Sequence, residues 1–91
     1  MTDDALPPRR FSPARLARLM EIVSAVKCEC PNHVAKIVEA LVGFEDYSRD
    51  CENRNDEDRA IHALLHRSSA RARAVMEAAL EELLRFERID V

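Results

Sequence analysis

Two thiols and one imidazole lie within six residues of one another, at Cys28, Cys30 and His33. Thiolate and imidazole groups are ligands for zinc and other thiophilic metals, and Pro31 is well placed to open a helix whose start would lower a thiol pKa. A closed zinc site needs four ligands, so the fourth would come from solvent, a distant side chain or a second copy. The segment predicts a site for zinc or another thiophilic metal, with a redox-reactive thiol and an ordinary packed turn as the alternatives.

A second group of candidate metal ligands consists of Cys51, His62 and His66. The two histidines are four residues apart, so on a helix both imidazoles lie on one face and can reach one ion. The alternative is that they are half-buried histidines satisfied by acids on the neighbouring helix, for which Glu45 and Asp46 are candidates.

The three cysteines are too far apart to share one site inside a straight helical hairpin. About 21 residues of helix separate Cys30 from Cys51, which corresponds to about 30 Å. Only an antiparallel dimer would bring Cys28 and Cys30 of one copy near Cys51 of the other.

The composition of the chain favours helices. Of its 91 residues, 47% are hydrophobic and 34% are charged, with one glycine, no tryptophan and an excess of Ala, Leu, Arg and Glu, which is typical of an all-α domain. No window approaches the roughly 20 apolar residues that cross a bilayer, and no segment is a signal peptide or is basic enough to bind nucleic acid by charge alone. We therefore expect a cytoplasmic protein with reduced thiols, without membrane association, and without direct nucleic-acid binding by this chain alone.

Residues 1–10 are predicted to be a flexible leader, and residues 11–91 a single helical domain. Ser12 and Pro13 are typical of an N-cap and a first helical residue, and they predict a helix of about 12 residues. The stretch from Ser24 to Asn32 is interpreted as a connection.

Two longer helices are predicted to follow this connection. The second is expected to run from Pro31 to about Cys51. Asn55, followed by three acidic residues, is predicted to cap the third, which is expected to reach about Arg88, a length of about 30 residues or about 45 Å. The short connection near Asn53 forces these two helices to lie antiparallel.

Heptad-like apolar spacing predicts which faces of the two long helices pack together. In the second helix the predicted seam consists of Val34, Ile37, Leu41, Phe44, Ser48 and Cys51, and it is widened by Val38 and Tyr47. In the third helix it consists of Ile61, Leu65, Ser68, Ala72, Val75, Ala79, Leu83 and Phe86, and it is broadened by Leu64, Met76, Leu80 and Leu84. Glu77, Glu81 and Glu82 lie among arginines and are interpreted as a solvated face with opposite-charge pairs.

A long hairpin with a short first helix buries little apolar surface by itself, and the stripe on the third helix is wider than one partner covers. We therefore expect a homodimer in which two hairpins complete a helical bundle. The alternative is a monomer in which the first helix folds back as the third member.

Several runs of residues together resemble the segment that follows the DNA-binding domain in certain bacterial MerR-type transcriptional regulators. These runs are Arg10–Leu16, Ser24–His33, Phe44–Ser48, Asp50–Arg54 and His62–His66. The resemblance covers about residues 10–88 and implies the dimerising and sensing part of such a regulator, with Cys28, Cys30 and His33 where a signal is received. Nothing in the chain resembles the family's winged helix-turn-helix, so the chain is either a stand-alone relative or a fragment, and direct DNA recognition is in doubt.

The motifs of common enzymes are missing from the sequence: it has no glycine-rich phosphate loop, nucleophile elbow or repeated Glu-x-x-His pattern. We therefore expect a non-enzymatic helical module that dimerises, serves regulation and presents a surface to a protein partner. The first alternative is a metal-binding or thiol redox-sensing protein that uses the Cys28–His33 turn. The second is a small enzyme.

Overall fold

The computed structural model describes residues 6–21, 29–54 and 56–90, with residues 52–54 described as backbone only. Within these ranges the chain is helical and forms no strand. The helices are α1 (Pro13–Glu21), α2 (Cys30–Arg54) and α3 (Arg59–Glu87). Because α2 and α3 pack along each other as a helical hairpin, the predicted all-α class and hairpin are confirmed.

The start of α1 follows from the chemistry of two residues. The Ser12 hydroxyl accepts a hydrogen bond from the Arg15 N–H at 3.0 Å, and Pro13 is the first helical residue. The predicted N-cap is therefore confirmed, because this hydroxyl satisfies an N–H that has no partner inside the helix. The described helix ends at Glu21, and the rest of the predicted connection up to Cys28 lies outside the described residues.

One asparagine ties the start of α2 to the end of α1. The Asn32 side-chain amide donates to the carbonyls of Leu19 at 2.9 Å and Met20 at 3.3 Å. These carbonyls belong to the last described turn of α1, and Asn32 binds them from the start of the next helix. Pro31, the second residue of α2, is buried beside this junction.

The third helix begins later than predicted. Asn55, the predicted N-cap, lies outside the described residues, and α3 starts at Arg59 with Asp58 in the N-cap position. Residues 56–58 form a turn, in which the Arg59 N–H donates to the Asp56 carbonyl at 3.4 Å and the two side chains form an ion pair. The acidic residues 56–58, which were expected to form the first turn of the helix, therefore form a separate turn before it.

The end of α3 is close to the predicted one. The helix ends at Glu87, and Arg88 adopts a left-handed backbone with φ of 58°. The Ile89 N–H then donates to the Leu84 carbonyl at 2.9 Å, which closes the last turn as in a Schellman motif. Ile89 packs against the apolar core, so termination of the helix also adds a core contact.

The apolar core lies between α1 and the hairpin. Its buried members are Phe11, Leu16, Leu19, Ala35, Val38, Leu80 and Leu84. The first helix therefore folds back onto the hairpin as its third member. Burial of about seven such side chains, at roughly 1–3 kcal/mol for each large one, is the main term that holds α1 in place.

The predicted seam is buried only in part. Val38 and Ser48 on α2 are buried, and so are the broadening residues Leu80 and Leu84 on α3. The heptad-spaced residues at the centre of the α3 seam do not lie in the interior, and this part of the prediction was wrong. Ile61, Val75 and Phe86 of the predicted seam are 50%, 67% and 81% exposed, and Ile37 and Phe44 are 45% and 42% exposed. The buried residues of α3 are instead Ser69, Ala70, Arg73, Glu77, Leu80 and Leu84.

The interpretation of Glu77 as a solvated residue was also wrong, because its side chain is fully buried. The physical reason is that α3 carries two stripes. The stripe in the interior includes Arg73 and Glu77, whose opposite charges satisfy each other inside the fold.

Candidate functional site

Eight large apolar side chains of the hairpin are exposed among the described residues. They are Ile37, Phe44 and Tyr47 on α2 and Ile61, Leu64, Leu65, Val75 and Phe86 on α3. Together with the small exposed residues Ser68, Ala72 and Ala79, they are called the outer face. Exposed apolar patches of this extent mark interaction surfaces in water-exposed proteins.

The outer face lies on the side of the hairpin opposite α1. Its positions on α3 recur every three or four residues and form one stripe, about half a helical turn away from Leu84, which packs on α1. On α2, Ile37 and Phe44 are likewise about half a turn away from Ala35, another contact of α1. The two stripes therefore lie side by side on a single surface.

The α3 part of this surface is mostly apolar. Between Ile61 and Phe86 the positions of the stripe hold apolar residues and one serine, apart from the exposed Glu82, which pairs with Arg85 near the end of the stripe. On α2, the Phe44 and Tyr47 rings stack with their centroids 6.3 Å apart and an interplanar angle of 30°. This arrangement suits the burial of the outer face against another apolar surface.

A buried charge cluster on the other side of the hairpin centres on Arg73. The Arg73 Nε and Nη2 donate to the two carboxylate oxygens of Glu45 at 2.6 and 3.1 Å, and Nη1 donates to Glu77 Oε1 at 2.9 Å. The remaining donors reach the carbonyls of Pro8 at 3.1 Å and Pro7 at 2.7 Å. All five N–H groups of the guanidinium are thus satisfied.

The guanidinium of Arg73 is stabilised in its charged form by the carboxylates that it meets inside the fold. The hydrogen bond that it donates to Glu45, and then the one that it donates to Glu77, raise the pKa of Arg73 against the opposing effect of burial. Sequence reasoning missed the cluster. The one available signal was that Arg73 and Glu77 are four residues apart, as in a helical ion pair, on the same helical face as Leu80 and Leu84.

Residues 7–10, which we call the strap, run over this cluster without forming a helix or strand. Besides the two proline carbonyls bound by Arg73, the backbone N–H of Arg10 donates to Glu77 Oε2 at 2.9 Å. The division of the chain into a leader and a helical domain stays a prediction. The contacts show that the described part of that leader is bound to the hairpin.

The side chains of the strap make further ion pairs at the surface. Arg9 Nη2 donates to Asp46 Oδ1 at 2.8 Å, and Arg10 Nη1 donates to Glu81 Oε1 at 2.6 Å. The hydrogen bond from Arg9 is the largest cause that lowers the pKa of Asp46. Because both pairs are partly exposed, each contributes modestly to stability and mainly fixes where the strap lies.

The predicted metal ligands at the start of α2 are only partly described. Cys30 and His33 are both exposed, and His33 Nε2 lies 3.6 Å from a carboxylate oxygen of Glu29. Cys28 lies outside the described residues. The ligand set of Cys28, Cys30 and His33 therefore stays a prediction.

The second predicted set, Cys51, His62 and His66, is half-buried. Within the described part of the chain, no three side chains of His, Cys, Asp or Glu are grouped to hold a metal ion. His66 lies near enough to Asp46 to be among the groups that lower the pKa of that carboxyl, after Arg9 and Arg49. Asp46 was one of the two acids expected beside these histidines.

Titration of the reduced protein with zinc or cobalt tests the predicted site at the start of α2. We expect binding that falls by at least about a hundredfold in a Cys28→Ser, Cys30→Ser double variant and is unchanged in Cys51→Ser. Affinity should also weaken as the pH falls, because thiolate and neutral imidazole are the ligating forms. Equal weak binding by the wild type and the double variant would rule out a metal at this turn.

Comparison with known proteins adds no relative to these observations. No protein-family model matches the chain, and neither curated proteins nor solved structures give a match. Among the helices that the structure describes, each is too short or too polar to cross a bilayer. The outer face and the charge cluster are therefore the two features of the molecule that bear on its function.

Proposed function

We propose that the protein is a non-enzymatic helical module that forms a homodimer through its outer face and serves regulation. The observation that carries this proposal is the row of exposed apolar side chains on the hairpin, opposite α1. A surface of this kind loses free energy when it is removed from water, and a second copy supplies an equally apolar surface of the same length. Two hairpins packed in this way form a four-helix bundle with one α1 on each outer side.

The dimensions of the outer face support a partner that is itself helical. Its α3 stripe extends from Ile61 to Phe86, which is about 37 Å along a helix. Small side chains at Ser68, Ala72 and Ala79 lie between larger ones at both ends. Small residues in the middle of a stripe allow two helices to approach closely, and the larger ends then pack around the contact.

The regulatory part of the proposal rests on the resemblance to the segment that follows the DNA-binding domain of MerR-type regulators. In such a role the module would join two copies and receive a signal, with a partner protein or a separate domain contacting DNA. The alternative function is metal binding or thiol redox sensing at the Cys28–His33 turn. It is favoured by the exposure of Cys30 and His33 at the start of α2. The zinc titration described above distinguishes this alternative from a module that only dimerises.

Sedimentation equilibrium across a concentration series tests the dimer. The wild type is expected to sediment at twice the chain mass of 10.4 kDa. Val75→Glu and Phe44→Glu place a charge in the outer face without touching the core, and each is expected to weaken dimerisation on the order of a hundredfold. Ala14→Glu adds the same charge to an exposed position of α1 and serves as the matched control.

Helix content measured by circular dichroism should stay the same in all three variants, because the substituted side chains are exposed within one chain. A wild type that remains a 10.4 kDa monomer at every concentration would contradict the proposal. So would a dimer that dissociates with Ala14→Glu as readily as with Val75→Glu, since the interface would then involve α1.

A further inference from the structure

The strap makes directed contacts with both long helices. Two of its carbonyls, one of its backbone N–H groups and two of its side chains are bound, and the partners come from both α2 and α3. The groups that bind its backbone, Arg73 and Glu77, are 1% and 0% exposed. Arg73 is also bound to Glu45 and to Glu77, so the groups that bind the strap are held by contacts within the hairpin as well.

The chemistry of the strap matches these groups. Proline has no N–H, so Pro7 and Pro8 offer only carbonyl acceptors, which is what the free donors of Arg73 require. The proline rings also restrict φ, so the segment loses less conformational entropy when it is bound. Arg9 and Arg10 then meet two acidic side chains, Asp46 on α2 and Glu81 on α3.

We infer that the surface formed by Arg73, Glu77, Asp46 and Glu81 is a peptide-binding site for a segment of two prolines followed by two arginines. In this chain the site is filled by the strap itself, and the same segment supplied as a separate peptide can occupy it. The backbone contacts give affinity, and the two acidic residues select arginine over acidic or neutral side chains. The site lies on the side of the hairpin away from the outer face, so it does not depend on dimerisation.

Competition in the full chain tests this site. An Arg9→Ala, Arg10→Ala double variant weakens the bound strap while leaving the hairpin groups in place, and Arg9→Ala alone is a milder version should the double variant fold poorly. A capped peptide of residues 6–10 is added, and the NMR signal of the Arg73 Nε–H reports occupancy. The control peptide carries glutamate at both arginine positions.

Two results are expected. Hydrogen exchange of the backbone amide at position 10 should be on the order of tenfold faster in the double variant than in the wild type, with helix amides unchanged. The wild-type peptide should then shift the Arg73 signal in a saturable way, and the glutamate peptide should not. Any one of three results would overturn the inference. The first is that the amide at position 10 exchanges at the same rate in both proteins. The others are that the wild-type peptide causes no saturable shift, or that both peptides bind equally well.

Discussion

Replacing Arg73 with methionine is expected to remove a large part of the stability of the fold. The change leaves the buried carboxylate of Glu77 without its cation, the carboxylate of Glu45 with only Arg9 at 4.0 Å, and the carbonyls of Pro7 and Pro8 without the donor that binds them. Removing one member of a buried ion pair costs about 3–5 kcal/mol. A chain of this length has a total free energy of unfolding of roughly 5–14 kcal/mol, so the loss is a large part of the stability of the fold.

Urea denaturation followed by circular dichroism measures this effect. Arg71→Met, an exposed position on the same helix, is the matched control and should change the unfolding free energy by less than about 0.5 kcal/mol. Arg73→Lys should also be strongly destabilised, because one ammonium group has fewer donors and lacks the planar fork that binds Glu45 through two oxygens.

A triple replacement of Glu45, Arg73 and Glu77 by methionine separates charge from packing. It should regain much of the lost stability, since no unpaired charge remains. If Arg73→Met unfolds at the same urea concentration as the wild type, the buried contacts of Arg73 do not stabilise the fold.

The second large effect is expected from Leu80→Ala. Leu80 is fully buried in the core that also contains Leu16, Leu19 and Val38, and truncation leaves a cavity in that core. Such changes cost about 2–5 kcal/mol, depending on how far the surroundings relax. The loss should appear as a lower unfolding free energy at every protein concentration, because this contact lies within one chain.

Leu65→Ala provides the comparison, since it removes the same atoms from a residue that is 36% exposed. Its effect within one chain should be below about 1 kcal/mol. If Leu65 is part of a dimer interface, the additional loss will depend on protein concentration, because assembly and unfolding are linked. Equal and concentration-independent losses for Leu65→Ala and Leu80→Ala would mean that both residues lie in the core of one chain.

The helices could be predicted from the sequence because their ends depend on local chemistry. Ser12 and Pro13 begin α1 through a cap that involves only nearby residues, and α3 ends close to the predicted Arg88. The start of α3 could not be placed in the same way. Acidic residues before Arg59 are equally suited to a first helical turn and to the turn that the structure shows.

Periodicity identified some buried residues, such as Val38, Leu80 and Leu84, but it could not identify the centre of the buried face of α3. An apolar stripe indicates which side of a helix avoids water, but α3 has two such sides, and the more apolar one is exposed in a single chain. The choice depends on Arg73 and Glu45, which are 28 residues apart and pair only after the helices have come together. Periodic analysis of one helix contains no information about that pair.

The binding of the strap was also beyond sequence reasoning. Its main acceptors are the backbone carbonyls of Pro7 and Pro8, and every residue has a carbonyl, so no side-chain pattern marks them. The arginines that follow are common in the chain and have no spacing that selects Asp46 or Glu81 as partners. Only the three-dimensional arrangement of α2 and α3 identifies these contacts.

The strap also affects the kinetics of folding. Its hydrogen bonds join residues 65, 66 and 71 positions apart, close to the full length of the chain. The helices and the turn of the hairpin, by contrast, form between near neighbours and have no long loop to close first. The strap contacts should therefore form after the rate-limiting barrier, so they slow unfolding and leave the rate of refolding nearly unchanged. In this molecule the strap governs how long the folded state lasts, and the hairpin governs how quickly it is reached.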